Sequence, residues 1–180
     1  MSQETALHDA FMGHAESVGD RLVQLHASFL DGRLDVDDFI DRASLLVGQA
    51  QARMYALADA SLSAFITVET ATAVPTLGIV APDESGRLRD GLRTLLAVVD
   101  PESPALRVAR YGRSEVAGSF QDGYSTAMRE RPEVGGYRRV LNTSACELCV
   151  WLWRGGYVYP SGKSFHRHTG CGCHPEPVLR

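Results

Sequence analysis

The sequence predicts an α+β fold that is mainly α, in which antiparallel helices are followed by a small β-hairpin tail. Two observations lead to this prediction. Apolar residues recur at three- and four-residue steps through most of residues 1–133, which is typical of amphipathic helices. After Pro132 the pattern changes to short β-prone runs, each preceded by a glycine pair. We therefore divide the chain into a helical region, 1–133, and a small module, 134–180.

The first two helices are predicted from their periodicity and from the residues at their ends. The segment GDRLVQLHASFLDGR places Leu22, Leu25, Phe29 and Leu30 on one side of a helix, and Gly32 is a natural C-cap. A longer helix follows from about Val36 to Ile66, with Asp35 as its N-cap. Its apolar stripe comprises Phe39, Ile40, Ala43, Leu46, Val47, Ala50, Met54, Leu57, Leu62 and Phe65. Because the connection is short, we expect the two helices to pack antiparallel.

Two further helices are expected beyond a break in the pattern. Residues 70–86 contain two prolines and two glycines, which predicts a linker or exposed loop and a candidate hinge. A short third helix follows, with Leu88, Leu92, Leu95, Leu96 and Val99 as its apolar residues. The fourth helix has Ser103 as N-cap and Pro104 in its first turn and extends to about Met128. Its predicted inward residues are Leu106, Ala109, Val116, Phe120 and Tyr124.

The tail contains two β-prone runs, GGYRRVL and GGYVYP, which we expect to form a small antiparallel ribbon. The tail is also basic, because residues 134–180 carry six bases and two acids, whereas residues 1–60 carry four bases and ten acids. A basic surface can contact phosphates. The basic residues that a nucleic-acid interface would use are Arg138, Arg139, Arg154, Lys163 and Arg167.

All four cysteines lie in the tail, in a spacing that favours a metal site. Cys146 and Cys149 form a C-x2-C pair, and His168, Cys171 and Cys173 follow about twenty residues later. Thiolates and imidazole in four-coordinate geometry suit zinc best, so the tail is predicted to be a zinc-stapled hairpin. The choice of four ligands among these five residues stays open, and His166 and His174 are weaker alternatives.

Disulfide bonds, a redox motif and a catalytic zinc are less favoured roles for these cysteines. Disulfides are rare where thiols are kept reduced, and we expect a soluble protein made in the cytoplasm, because the acidic N-terminus lacks a signal-peptide pattern. A thioredoxin-type C-x2-C would leave the second cluster without a role. Catalytic zinc needs a nearby acid or base, and Glu147, the only acid inside the motif, is expected to point outward. A closed structural zinc site is therefore predicted, with no catalytic residue.

The tail motif resembles a known family. The run GGYRRVLNTSACELCVWL, followed by YVYP and FHRHTGCGCHPEPV, is similar to the C-terminal motif of phage Mu protein F-like head morphogenesis proteins, particularly minor capsid proteins of actinobacterial tailed phages. The preceding helices also resemble that family. The usual pattern often has proline and a basic residue at the positions of Thr169 and Gly172.

The resemblance implies a non-enzymatic head protein that associates with the portal or the inner capsid. Such a protein is made in the host cytoplasm and ends inside the capsid, where packaged DNA is a further partner. By matching positions, the metal role falls on Cys146, Cys149, His168, Cys171 and Cys173. Membranes and small-molecule substrates are not expected partners. The alternatives are a zinc-dependent nucleic-acid-binding module and, less favoured, a small metal-dependent nuclease.

Overall fold

The computed structural model describes residues 3–98 and 103–180. It is mainly helical, with a three-stranded antiparallel sheet near the C-terminal cysteines, so the predicted α+β class is confirmed. The elements in chain order are α1 (Gln3–Leu30), α2 (Val36–Thr70), α3 (Ser85–Ala97), α4 (Pro104–Glu130), β1 (Val134–Val140), α5 (Glu147–Trp153), β2 (Tyr159–Pro160) and β3 (His174–Leu179). Within the described ranges, none of the helices combines the length and apolar character needed to span a membrane.

The α1–α2 connection forms as its capping residues predict. Gly32 has a φ of 70°, and the N–H groups of Gly32 and Arg33 donate to the carbonyls of Phe29 and Ser28, which is a Schellman C-cap. Asp35 caps α2 by accepting a 2.8 Å hydrogen bond from the Asp38 N–H. The prediction for α1 was too short at its N-terminal end, because α1 begins at Gln3. Its further inward residues are Phe11, Ala15 and Val18.

Helix α4 packs against both α1 and α2 at close range. A Cβ atom on Gly112 would overlap Cδ1 of the buried Leu22, so any larger residue there would force Leu22 or the helices to shift. The rings of Phe11 and Phe120 stack with centroids 4.5 Å apart. The predicted inward face of α4 is buried except at Leu106, which is 59% exposed. Leu106 lies in the first turn of α4, and the remaining predicted residues define the face that meets α1 and α2.

The predicted loop is held against α2 by hydrogen bonds. Residues 71–84 form no regular element, and the buried Asp59 carboxylate accepts from the N–H groups of Leu77 (3.0 Å), Gly78 (2.7 Å) and Ile79 (3.4 Å). The Arg131 guanidinium donates to Ser63 Oγ at 2.8 Å and to the Pro75 carbonyl. Whether this loop acts as a hinge stays a prediction.

Val99, which the periodicity assigns to the third helix, lies outside the described residues.

The tail sheet has the order β2-β1-β3. The predicted β1–β2 ribbon is present, with Tyr137 opposite Tyr159, but β2 has only two residues. The longer partner of β1 is β3, which the sequence did not suggest because it contains Pro175 and Pro177. Proline lacks an N–H to donate and is tolerated on an edge strand such as β3. One hydrophobic core continues from the helices into this sheet, and the division at residue 133 stays a prediction.

Candidate metal centre

Helix α5 positions the first cysteine pair. Cys146 is the N-cap residue of α5 and has an extended backbone, while Cys149 lies in the first turn. This three-residue step brings both sulfurs to the same side of the helix end. Cys149 is buried and Cys146 is exposed, so the pair extends from the core to the surface.

The second group is held by contacts with α4. The Gln121 side-chain amide donates to the carbonyls of Cys171 (3.0 Å) and Cys173 (2.6 Å). The Gly170 N–H donates to Ser114 Oγ at 2.7 Å, and the Cys171 N–H donates to the His168 carbonyl at 3.0 Å. The loop before β3 is therefore fixed to a helix that lies about fifty residues earlier in the chain.

The structure brings together all five predicted ligands. His168 Nε2 lies 3.2 Å from Cys146 Sγ and 3.4 Å from Cys149 Sγ, and the sulfurs of Cys149 and Cys171 are 3.6 Å apart. Two triads, Cys146–Cys149–His168 and Cys149–Cys171–Cys173, each have ligand atoms within 4.8 Å of one another and share Cys149. This cluster could hold a metal ion, because its donors are thiols and an imidazole at the mutual distances that one ion can bridge.

The orientation of His168 suits a metal ligand. His168 Nδ1 lies 2.9 Å from the Thr169 carbonyl oxygen. A carbonyl can only accept, so Nδ1 carries the proton and the neutral ring presents the Nε2 lone pair to the two sulfurs. The Thr169 carbonyl and the neighbouring thiols also raise the pKa of His168, and a metal ion would displace any proton from Nε2.

The four thiols of the cluster differ in pKa. The Cys173 thiol hydrogen-bonds to Cys171 and lowers the pKa of Cys171 to about 4, and the same pairing raises the pKa of Cys173. Burial raises the pKa of Cys149 to about 11. The Cys149 backbone N–H, at the start of α5, lowers the pKa of Cys146. Pairing within the cluster therefore favours the thiolate form of Cys171, whereas burial favours the thiol form of Cys149.

Arg139 lies inside the cluster, which corrects its assignment to a nucleic-acid surface. It is 3% exposed, and its Nη1 lies 3.7 Å from Cys149 Sγ and 4.0 Å from Cys171 Sγ. The guanidinium also covers the Phe165 ring at 4.0 Å and donates to the His166 carbonyl. A side chain buried in this way cannot reach a phosphate. The sequence alone did not show that Arg139 is buried while Arg138 is at the surface, because the two residues are adjacent and of the same type.

The other basic residues of that set lie at the surface. Arg138 pairs with Glu176 at 3.5 Å, and Arg167 pairs with Asp122 at 2.6 Å. The Arg154 guanidinium lies 5.4 Å from the Trp151 ring centroid, and Lys163 is exposed. Two of the four therefore already have a carboxylate partner.

The weaker metal candidates lie outside the two triads. His166 is exposed, whereas His174 is buried and packs edge-on against Phe11 with centroids 6.0 Å apart. Glu147 is exposed in the first turn of α5. Gly172 also has a packing role, because a Cβ there would lie 2.6 Å from Asn142 Nδ2.

Comparisons of the chain with protein-family models, with curated proteins and with solved structures find no match.

Proposed function

We propose that this protein is a non-enzymatic component of a phage head, associated with the portal or the inner capsid, and that a structural zinc ion holds its tail. The observation that carries the proposal is the convergence of Cys146, Cys149, His168, Cys171 and Cys173 at the junction of α4, α5 and the sheet. The phage role rests on the resemblance of this same motif to Mu F-like head morphogenesis proteins.

Zinc suits the donors, and the contacts favour Cys146, Cys149, His168 and Cys171 as its four ligands. The first three belong to one triad, and the Cys171 sulfur is 3.6 Å from that of Cys149. Cys173 instead lies 3.9 Å from Asn142 Oδ1, which makes it a supporting thiol. Three thiolates on a divalent ion give a net charge of −1, and the buried Arg139 guanidinium neutralises it.

A structural role fits this ligand set better than a catalytic one. A catalytic zinc keeps one position open for water and has an acid or base beside it. Four protein ligands close the site, and Glu147, the acid within the motif, is exposed on α5. The nuclease alternative would require metal-dependent turnover that Glu147→Gln abolishes.

Zinc would connect the parts of the tail that have little core of their own. Strand β2 has two residues and α5 has seven. Such short elements are not stable alone. Binding of structural zinc in small modules supplies on the order of 10 kcal/mol. Zinc bound between α5 and the loop before β3 would therefore order a surface that the head can use.

The proposal is tested in two steps. Elemental analysis of the purified full chain should find about one zinc per chain, as a single four-ligand site requires. Mass spectrometry and cryo-electron microscopy of the particles made with this protein should then find it inside the head. If the purified chain contains zinc but the protein is absent from the particles, the head role alone is refuted. If the protein is present in the particles but the purified chain contains no metal, the zinc site alone is refuted.

A further inference from the structure

The four cysteines of the cluster differ in their access to solvent. All four lie within the described ranges, and among them Cys146 alone is exposed. Cys149, Cys171 and Cys173 are 1%, 5% and 1% exposed. A zinc-bound cysteine is a thiolate, which is the form of sulfur that peroxides oxidise. A peroxide that approaches the loaded centre from solvent therefore reaches the Cys146 sulfur first.

Cys149 is the thiol best placed to react with an oxidised Cys146. Cys146 is the N-cap residue of α5 and Cys149 lies in its first turn, where side chains three residues apart are on the same side. Their sulfurs and His168 Nε2 all lie within 4.8 Å of one another, and neither Cys171 nor Cys173 belongs to that group. A Cys146–Cys149 disulfide would thus close within one helical turn, without movement of the loop before β3.

Cys149 is also the residue that the two ligand triads share. Without it, the first triad retains only Cys146 and His168, and the second retains only Cys171 and Cys173. Oxidation of Cys149 therefore breaks both triads. Oxidation of the Cys171–Cys173 pair would instead leave the first triad intact, so the disulfide that forms decides whether the centre loses its metal.

We propose that Cys146 is an oxidation site through which hydroperoxides release the zinc ion and unlock the tail. This inference rests on the zinc centre of the proposed function and does not depend on the phage role. The Cys146 thiolate attacks one oxygen of hydrogen peroxide, the O–O bond breaks, and hydroxide leaves as a sulfenic acid forms. The Cys149 thiolate then attacks the sulfenic sulfur, and its S–O bond breaks to release a second hydroxide. Two thiolates, one peroxide and two protons from solvent give one disulfide and two waters, and zinc leaves without a change of oxidation state.

The same oxidation would weaken the charge balance around Arg139. This guanidinium is buried, and its Nη1 lies 3.7 Å from the Cys149 sulfur and 4.0 Å from the Cys171 sulfur. A disulfide sulfur is neutral, so the nearer of these two sulfurs could no longer compensate the positive charge. A buried cation that loses its partner destabilises the fold around it. Loss of the ion and loss of this compensation act in the same direction, and the oxidised tail should unfold while α1 to α4 remain folded.

The test adds hydrogen peroxide to the zinc-loaded full chain. A weak chromogenic chelator measures the released zinc, differential alkylation with mass spectrometry identifies each disulfide, and tryptophan fluorescence reports on α5. Zinc release should accompany a Cys146–Cys149 disulfide, with about one peroxide consumed per zinc ion released, as the balance of the reaction requires. A thiol reductant followed by zinc should restore the fluorescence.

Two substitutions distinguish this disulfide from the other pairings in the cluster. Cys146→Ser removes the exposed sulfur, and Cys149 should then stay reduced at a peroxide concentration that oxidises it in the wild type. Because this variant also loses a proposed ligand, its readout is the oxidation state of Cys149 and not the release of zinc. Cys173→Ser keeps the four proposed ligands and should still form the Cys146–Cys149 disulfide. Circular dichroism before oxidation verifies that each variant is folded.

The outcomes separate this inference from the zinc centre on which it rests. A chain that binds no zinc would refute the centre and the inference together. A zinc-loaded chain whose cysteines stay reduced, or that keeps its zinc after Cys146 is oxidised, would overturn the inference alone. Zinc release with a Cys149–Cys171 or Cys171–Cys173 disulfide would also overturn it, as would full oxidation of Cys149 in a folded Cys146→Ser chain.

Discussion

The guanidinium of Arg139 lies 3.7 Å from the sulfur of Cys149, and both residues are buried. A buried cation is stable only beside a compensating negative charge. The sulfurs of Cys149 and Cys171 are in a position to supply that charge once they are thiolates on a metal. Arg139 is therefore expected to stabilise the loaded centre while it links β1 to that centre.

Replacing Arg139 by methionine should weaken zinc binding and destabilise the tail by about 3–5 kcal/mol, the usual cost of leaving a buried charge without its partner. Competition with a chelator measures the affinity, and urea unfolding measures the stability. Arg138→Met is the matched control, because Arg138 is about half exposed and pairs with Glu176 at the surface. That variant should change stability by about 1 kcal/mol or less. Equal losses in the two variants would show that Arg139 has no special link to the metal.

Removal of zinc should melt the tail before the helices. Both tryptophans, Trp151 and Trp153, lie in α5, so tryptophan fluorescence reports on the tail, whereas far-ultraviolet circular dichroism reports mainly on α1 to α4. A strong chelator should shift the fluorescence while most of the helical signal remains. Re-adding zinc should reverse the shift. Unchanged fluorescence after verified metal removal would contradict a structural role for the ion.

Cys171→Ser should lower zinc affinity far more than Cys173→Ser. Our proposal makes Cys171 a ligand, because its sulfur is 3.6 Å from that of Cys149, and Cys173 a supporting thiol, because its sulfur lies 3.9 Å from Asn142 Oδ1. Changes to groups that only support a ligand typically cost about 10- to 100-fold in affinity, and the loss for Cys171→Ser should exceed that range. Cobalt substitution provides the measurement, because the sulfur-to-cobalt absorption should fall by one thiolate for Cys171→Ser alone. A fall of the same size for Cys173→Ser would assign the fourth ligand to Cys173.

His168 has a natural control in His166. His168 Nε2 faces two sulfurs, whereas His166 is exposed and contacts Arg139 only through its backbone carbonyl. His168→Ala should lose zinc under a chelator concentration that leaves His166→Ala loaded. If both variants retain zinc equally, His168 is not a ligand and the four cysteines bind the ion.

Local patterns were enough to predict much of the helical region and the metal cluster. Asp35 and Gly32 identified the helix ends because capping depends on residues within one turn. The five cysteine and histidine residues of the candidate metal cluster were identified because their spacing is read directly along the chain. Leu106 was placed wrongly because helical periodicity gives a face and does not show where the neighbouring helices stop covering it.

The contacts that complete the site join distant parts of the chain, and no local pattern contains them. Gln121 holds the carbonyls of Cys171 and Cys173 across about fifty residues of sequence. The inward position of Arg139 depends on the pairing of β1 with β3, and the prolines of β3 concealed that strand. Long-range packing of this kind forms only once the tail is folded against α4.

The stability of the helices should fall in mild acid because of His26. This side chain is buried between Phe29 and Phe39, and burial, with a smaller contribution from Arg107, lowers its pKa from 6.5. Below pH 6.5 the unfolded chain binds a proton that the folded chain resists, so stability decreases as pH falls toward the folded pKa, by at most about 1.4 kcal/mol per pH unit. Urea unfolding at several pH values gives the unfolding free energy as a function of pH, and this free energy should fall less steeply with decreasing pH in His26→Leu than in the wild type. The same pH dependence in the two proteins would exclude His26 as the cause.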